Sequence, residues 1–332
     1  MPCYNVQNTV DEAISSLLTQ SLTDFEVVAV DDGSTDGTLK QLQQWAQRDQ
    51  RVKVVQLAHQ GIINALNAGI KACTAAYIAR MDADDRSTPD RLMRQVKMLD
   101  EKPELAVVSS LVRGFPDGNL GSEFLAYINW LNSLLSDEDI KWNIFVQSPL
   151  AHPSVTYRRK WVEKIGGYQD HGWAEDYDLW VRLFLAGANF GKVNQVLLEW
   201  RDHPQRLTHT DGRYSPDSDL RLKAHYLLRG PLSKHKNTYI WGMGNVARQL
   251  GEQLMLLGCT NLSYIESNPM LGETSNPHSS VISAKNFFER YLPNQHGVVL
   301  VEENDQNTMR ILKQKFEASK LHPGIDWFTI AL

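Results

Sequence analysis

The sequence predicts an α/β protein: a doubly wound, mostly parallel sheet followed by a second, smaller α/β domain. Three observations carry this. Strand and helix signals alternate through the first hundred residues, the alternation dissolves between Gly118 and His209, and it resumes at Asn237. Alternation of this kind implies parallel strands with helices on both faces and a ligand site at the carboxyl ends of the strands. The expected domains are residues 1–232 and 233–332, with the boundary near Ser233.

The elements follow in order. Val10, Ile14, Leu17 and Leu18 recur at helical spacing behind Asn8 and Thr9, either of which can open a helix. Phe25 to Gly33 is a short β-branched run closed by Asp and Gly. Leu39, Leu42, Trp45 and Ala46 make the next apolar helix stripe, and Val52 to Leu57 the next strand. Gly61 to Cys73 reads as a helix with Ile62, Ala65, Leu66 and Ile70 inward. Ala76 to Met81 is a strand, and Pro89 opens the following helix at a position proline favours. The run LAVVSS, from Leu105, closes the series. MPCYN, at Met1 to Asn5, behaves like the tail of a strand, either a stub or the remnant of a longer one. The turn-rich stretch Thr208 to Asp219 is expected to be a connector or loop.

Bulk properties exclude several classes. The 332 residues carry 34 Lys and Arg against 39 Asp and Glu, with no basic block, so nucleic acid is not an expected partner. Three scattered cysteines, Cys3, Cys73 and Cys259, suit a reducing compartment better than a disulfide framework or a zinc site. No apolar run approaches the roughly 20 residues of a membrane span, and no signal-peptide pattern opens the chain. The expected location is the cytoplasm, with at most peripheral association at the inner face of a membrane.

Two acidic clusters close predicted strands: Asp31 and Asp32, then Asp82, Asp84 and Asp85 in IARMDADD. Each alone reads as a helix-start loop, where Ser34, Thr35 and Asp36, or Ser87 and Thr88, can cap. Two clusters at one sheet edge are different. Like charges packed closely repel unless a cation neutralises them, and an Asp-x-Asp pair offers the hard oxygen ligands that suit Mg²⁺ or Mn²⁺ together with phosphate oxygens. A diphosphate ligand is the natural expectation.

PCYN, VDDGSTD, NALNAG, ARMDADD and the downstream AEDYDLWVRL occur in the order and spacing seen in glycosyltransferase family 2, and the first 209 residues resemble that inverting family with its GT-A fold. The resemblance implies sugar transfer from a nucleotide-sugar donor, a UDP-sugar first among candidates, to a saccharide or lipid-linked acceptor in cell-surface polysaccharide or glycolipid synthesis. It implies that Asp31 and Asp32 read base and ribose beside Tyr4, with Pro2, Asn5, Asn67 and Arg80 as further donor contacts. Asp82 would hold ribose and metal, Asp84 the metal, and His203 of the Arg-x-His pair would complete a Mn²⁺ or Mg²⁺ site. Asp176 would be the catalytic base, with Glu175 and Asp178 behind it. His152 resembles a residue of a segment beside the acceptor crevice, or is simply a structural histidine before Pro153.

In the C-terminal part, Gly242, Gly244 and Ala247 form G-x-G-x-x-A between a strand and a helix, and Glu266 ends the next strand. This matches a dinucleotide-binding turn on an abbreviated Rossmann-like unit, expected to be non-catalytic or regulatory. Two rivals to the leading reading are a nucleotidyltransferase, which would need a basic glycine-rich loop that MPCYNVQN lacks, and a non-enzymatic nucleotide sensor built on the C-terminal turn.

Overall fold

A computed structural model describes residues 1–116, 118, 120–266, 275–276, 279–291, 297–303 and 305–331. The chain divides into two compact units, residues 1–140, 150–171 and 175–210, and residues 141–149, 172–174 and 211–332. The division therefore falls ahead of Ser233. Among the described residues no helix is long and apolar enough to cross a membrane.

The first unit opens with the expected alternation: β1 (Pro2–Cys3), α1 (Val10–Leu18), β2 (Val27–Asp31), α2 (Thr38–Arg48), β3 (Val52–Gln56) and α3 (Ile62–Ala72). The three strands form a parallel sheet in the order β1-β2-β3. All five residues of β2 are buried, because its two faces serve different helices. Val27 and Ala29 pack with Ala13, Ile14 and Leu17 of α1 and Leu42 of α2, whereas Val28 and Val30 pack with Ala65 of α3. That is the period-two logic of a strand covered on both sides.

The parallel set does not continue into the fourth strand. β4 (Tyr77–Ala79), β5 (Arg86–Ser87), α4 (Arg91–Glu101), β6 (Leu105–Phe115), α5 (Ser122–Ser133), β7 (Thr156–Arg158), α6 (Arg159–Lys164), α7 (Glu175–Leu185) and β8 (Asn189–Arg201) follow. Their strands make a mixed five-stranded sheet, ordered β4-β7-β6-β8-β5, in which β7 returns antiparallel between β4 and β6. β6 and β8 run parallel, so the ends of β6 and β8 emerge together at Phe115 and Arg201. Gln95 and Arg91 of α4 are buried and tie this sheet together: the Gln95 amide donates to the carbonyls of Val108 and Ser154, and Arg91 donates to the carbonyl of Arg80.

The second unit contains α8 (Pro216–Arg229), which starts inside the stretch expected to be a loop because Ser215 caps it, its hydroxyl accepting from Ser218 N–H. Then come β9 (Asn237–Trp241), α9 (Asn245–Leu256), β10 (Leu262–Glu266), β11 (Ser275–Asn276), β12 (Ser279–Ser283), β13 (Gly297–Glu302), α10 (Gln306–Ala318) and β14 (Trp327–Ala331). The sheet order is β11-β12-β10-β9-β13-β14, parallel apart from β11. An aromatic core of Trp241, Phe287, Phe316 and Trp327 fills one face.

Candidate active site

The first acidic pair sits where β2 ends. Both side chains are buried. Asp32 is spent on local order: its carboxylate accepts the N–H groups of Gln60 and Gly61 at 3.0 and 2.9 Å, and His59 Nδ1 lies 2.8 Å away. This fixes the turn into α3. Gly33, at φ +70°, lies so close to that turn that an added Cβ would meet the His59 backbone nitrogen at 2.6 Å, so both the backbone twist and the approach demand glycine. Asp31 is the opposite case. One oxygen accepts Ser34 N–H at 3.3 Å, and the other is buried with no protein partner. A buried unpaired carboxylate oxygen is costly unless a ligand donor meets it.

Tyr4 and His59 stack beside this pair, ring centroids 4.1 Å apart. His59 escaped the sequence reading; its only trace was the HQG between strand and helix. Asn5, at φ +52°, is a loop clasp: its amide oxygen accepts Thr35 N–H and its own N–H meets the Ser34 hydroxyl. Pro2 lies in β1, in register with Val30. Asn67 likewise clasps backbone, donating to the Tyr168 carbonyl and accepting its N–H, both at 2.9 Å. The Asn67 amide thus ties α3 to the segment ahead of α7.

The second cluster follows β4. Carboxylate oxygens of Asp82, Asp84 and Asp85 all lie within 4.8 Å of one another. Asp85 is buried; one of its oxygens accepts Arg201 N–H at 2.8 Å and the other has no protein partner. Burial, then the neighbouring Asp84 and Asp82, push its carboxyl well above the usual range. His203 Nε2 stands 2.9 Å from Asp84, and that bond foremost raises the imidazole pKa. Arg201, two residues before it, also donates to the Asp84 carbonyl at 2.6 Å. The Arg-x-His pair is therefore delivered by the end of β8 onto the acidic loop. Asp85 is part of the acidic cluster read from sequence and Arg201 part of the Arg-x-His pair, but the sequence gives neither a role of its own.

This donor set suits a divalent ion. Three convergent carboxylates, one with a buried unpartnered oxygen, and an imidazole nitrogen supply the hard oxygen and borderline nitrogen ligands that Mn²⁺ accepts.

Arg80 connects this cluster to α7. It is 5% exposed and ion-pairs with Asp82. Burial opposes its charge, yet the fields of Asp82 and, more weakly, Glu175 raise its pKa. Asp82 and Glu175 thus both act on the charge of one buried guanidinium. Within α7, Glu175 is 2% exposed and Asp178 is wholly buried. Asp178 pairs with Arg182 at 2.6 Å, and Arg182 holds the carbonyls of Ile165 and Gly167. Asp176 alone of the three is partly open, with one oxygen accepting Tyr177 N–H. Of the sequence-expected base candidates, only this one presents a carboxylate beyond the core.

The C-terminal glycine turn is filled from within. The Glu302 carboxylate, at the end of β13, accepts the N–H groups of Val246 and Ala247 at 3.3 and 3.0 Å. A Cβ on Gly244 would lie 2.4 Å from that carboxylate, and one on Gly242, at φ +102°, 2.6 Å from the Glu302 carbonyl. The two glycines make room for Glu302, whose carboxylate meets the amides that open α9. Glu266 does end β10, as expected.

The family model for glycosyl transferase family 2 matches residues 1–166. The chain belongs to glycosyltransferase family 2. It is 32% identical over 201 residues to the amylovoran biosynthesis glycosyltransferase AmsE of Erwinia amylovora, covering 60% of this chain and 73% of AmsE. An uncharacterized glycosyltransferase of Haemophilus influenzae is 29% identical over 206 residues, covering 60% of this chain but only 63% of that relative. Among solved structures, S. aureus TarS 1-349 in complex with UDP-GlcNAc aligns with a TM-score of 0.53 at 18% identity, covering 76% of this chain and 68% of that one. The mannosyltransferase PcManGT of Pyrobaculum calidifontis, in complex with GDP-Man and Mn²⁺, aligns at 0.50 and 20% identity, covering 68% and 60%. These structural likenesses establish the GT-A fold for this family 2 chain, in agreement with its sequence.

Proposed function

We propose that this glycosyltransferase is inverting and metal-dependent, and moves a sugar from a nucleoside diphosphate sugar, a UDP-sugar first among candidates, to a hydroxyl of a saccharide or lipid-linked acceptor during cell-surface polysaccharide or glycolipid synthesis. The carrying observation is the convergence of Asp82, Asp84 and Asp85 within 4.8 Å, with His203 bonded to Asp84 and Arg80 paired with Asp82. The amylovoran relative supports the polysaccharide setting, and the UDP-GlcNAc and GDP-Man of the structural neighbours support the donor class.

In this reading Asp31 presents its free buried oxygen to a donor N–H of the nucleotide, beside the Tyr4–His59 stack. Asp82, Asp84, Asp85 and His203 hold Mn²⁺ or Mg²⁺, which when bound offsets the charge of the departing diphosphate. Asp176 accepts the proton of the acceptor hydroxyl as its oxygen bonds to the anomeric carbon and the bond from that carbon to the diphosphate oxygen breaks. Base assistance of this kind is typically worth about 10²–10⁴ in rate. The rival reading of a sensor built on the C-terminal turn loses its main support, since Glu302 fills that turn.

The test is turnover of a panel of UDP- and GDP-sugars with and without Mn²⁺, for the wild-type protein and Asp84→Ala. Metal-dependent release of UDP or GDP that the substitution abolishes supports the reading. Undiminished turnover by Asp84→Ala sinks it.

A further inference from the structure

We propose that Glu175 is a positioning residue, packed against a buried, hydrogen-bonded His152–Tyr168 pair, and that this pair sets the placement of the Asp176 carboxylate without taking part in donor binding. The inference rests on the function proposed above.

Glu175 opens α7 and has almost no exposed surface, so it cannot meet an acceptor hydroxyl. Its neighbours explain its presence. Its charge helps hold that of the buried Arg80 guanidinium. Beside it lies His152, with Nδ1 3.7 Å from a Glu175 oxygen. His152 is itself buried, in the short turn His152–Ser154. Its Nε2 is 2.7 Å from the Tyr168 hydroxyl, and Trp180 of α7 packs edge-on against its ring at 5.9 Å.

Burial and the positive charge of Arg80 push the His152 pKa well below its usual value, so the ring is neutral and carries one N–H. A carboxylate cannot donate, whereas a tyrosine hydroxyl can. The consistent assignment is therefore Tyr168 O–H donating to Nε2, leaving the proton on Nδ1, which approaches Glu175 at 3.7 Å, a polar contact longer than a hydrogen bond. Tyr168 is fixed independently, because the Asn67 amide holds both its backbone N–H and its carbonyl. The chain thus runs from α3 through Asn67, Tyr168 and His152 to the first residue of α7, with Asp176 the next residue along. A small misplacement of a catalytic group can cost two orders of magnitude, which gives such bracing a role.

The test compares His152→Ala, His152→Asn and His152→Gln, with Tyr168→Phe and Glu175→Gln, on whichever UDP- or GDP-sugar the wild-type protein turns over with Mn²⁺. An Asn amide nitrogen stands near the place of ring Nδ1; a Gln amide nitrogen stands near Nε2. Expected is a kcat loss of about tenfold or more in His152→Ala, His152→Gln and Glu175→Gln, with donor KM within about twofold of wild type. His152→Asn should recover most of the loss. Tyr168→Phe removes a single oxygen and should keep the fold while lowering kcat by about threefold or more. Equal activity of the Asn and Gln variants, an unchanged kcat in Tyr168→Phe, or a donor KM rising in step with the kcat loss would overturn the inference while leaving the proposed function intact. Wild-type protein that turns over no donor in the panel would instead overturn the function, and this inference with it.

Discussion

His203 Nε2 lies 2.9 Å from a carboxylate oxygen of Asp84, across 119 residues of sequence. The bond means that the acidic cluster is closed by the segment that follows β8 rather than by its own loop alone. His203→Ala should therefore weaken Mn²⁺ binding without removing the three carboxylates. The expected outcome is a rise of about 10-fold or more in the Mn²⁺ concentration for half-maximal donor turnover, with kcat largely recovered at saturating metal. A metal titration of wild type and variant checks it, and coincident curves would show that His203 is no ligand.

Asp176 is the one partly exposed acid of the three at the start of α7. Asp176→Asn keeps its shape and removes its basicity, so donor binding should stay within about twofold while transfer falls by about 10²-fold or more. Calorimetric titration of the donor nucleotide together with single-turnover kinetics separates the two effects. Loss of nucleotide affinity along with rate would assign Asp176 to the donor site.

The stack of Tyr4 on His59 predicts the reverse pattern. His59→Ala removes a ring from the proposed base platform and a contact to Asp32, so donor KM should rise by about tenfold, with kcat changed far less. Steady-state kinetics with varied donor decide the matter; an unaltered KM would place the base elsewhere.

These residues mark how far the sequence could be read. Strand-ending acids at Asp31, Asp82 and Asp84 announced themselves because charge at the end of an apolar run is unusual, and the Arg-x-His spacing led to His203. The hydrogen bonds of Asn5, Asn67 and Asp32 were not legible, since a polar side chain shows its backbone partners only once the chain is folded. His59 gained its importance from long-range approach to Tyr4, and the bond between Asp85 and Arg201 is likewise long-range, which no local pattern encodes. The same limit applied to the fold. The α/β alternation was plain, but β7 returning between β4 and β6 rests on the pairing of Thr156–Arg158 with strands far away in sequence. The glycine turn is the sharpest instance: G-x-G-x-x-A fits a phosphate, and only the position of Glu302 shows what the space is for.

Glu302→Ala should expose that difference. Removing the carboxylate leaves the Val246 and Ala247 amides unpaired at a helix start and should cost the second unit about 1–2 kcal/mol, read as a lower unfolding midpoint in urea. Wild-type protein should show no thermal shift with millimolar NAD⁺. A clear shift would mean that Glu302 gives way to a dinucleotide after all.

Lys192 provides a pH signature for the first unit. It lies on β8, 4% exposed, with Nζ donating to the Leu131 carbonyl at 2.5 Å. Burial pulls its pKa down to about 7, against a weaker upward pull from Asp139. In the unfolded chain the amine keeps its ordinary value of 10.5, so between the two values the unfolded state binds more protons. Stability from this group is thus present above about pH 10.5 and is lost progressively as pH falls toward 7. The shift corresponds to on the order of 4–5 kcal/mol if fully expressed, and replacing the amine also leaves the Leu131 carbonyl unpaired at about 1–3 kcal/mol. Lys192→Met should accordingly gain about 1–3 kcal/mol at pH 7 and show a smaller rise in stability between pH 7 and 9.5 than wild type. Urea unfolding at both pH values measures this directly. Parallel pH dependences in the two proteins would mean that the amine reaches water and carries no buried charge.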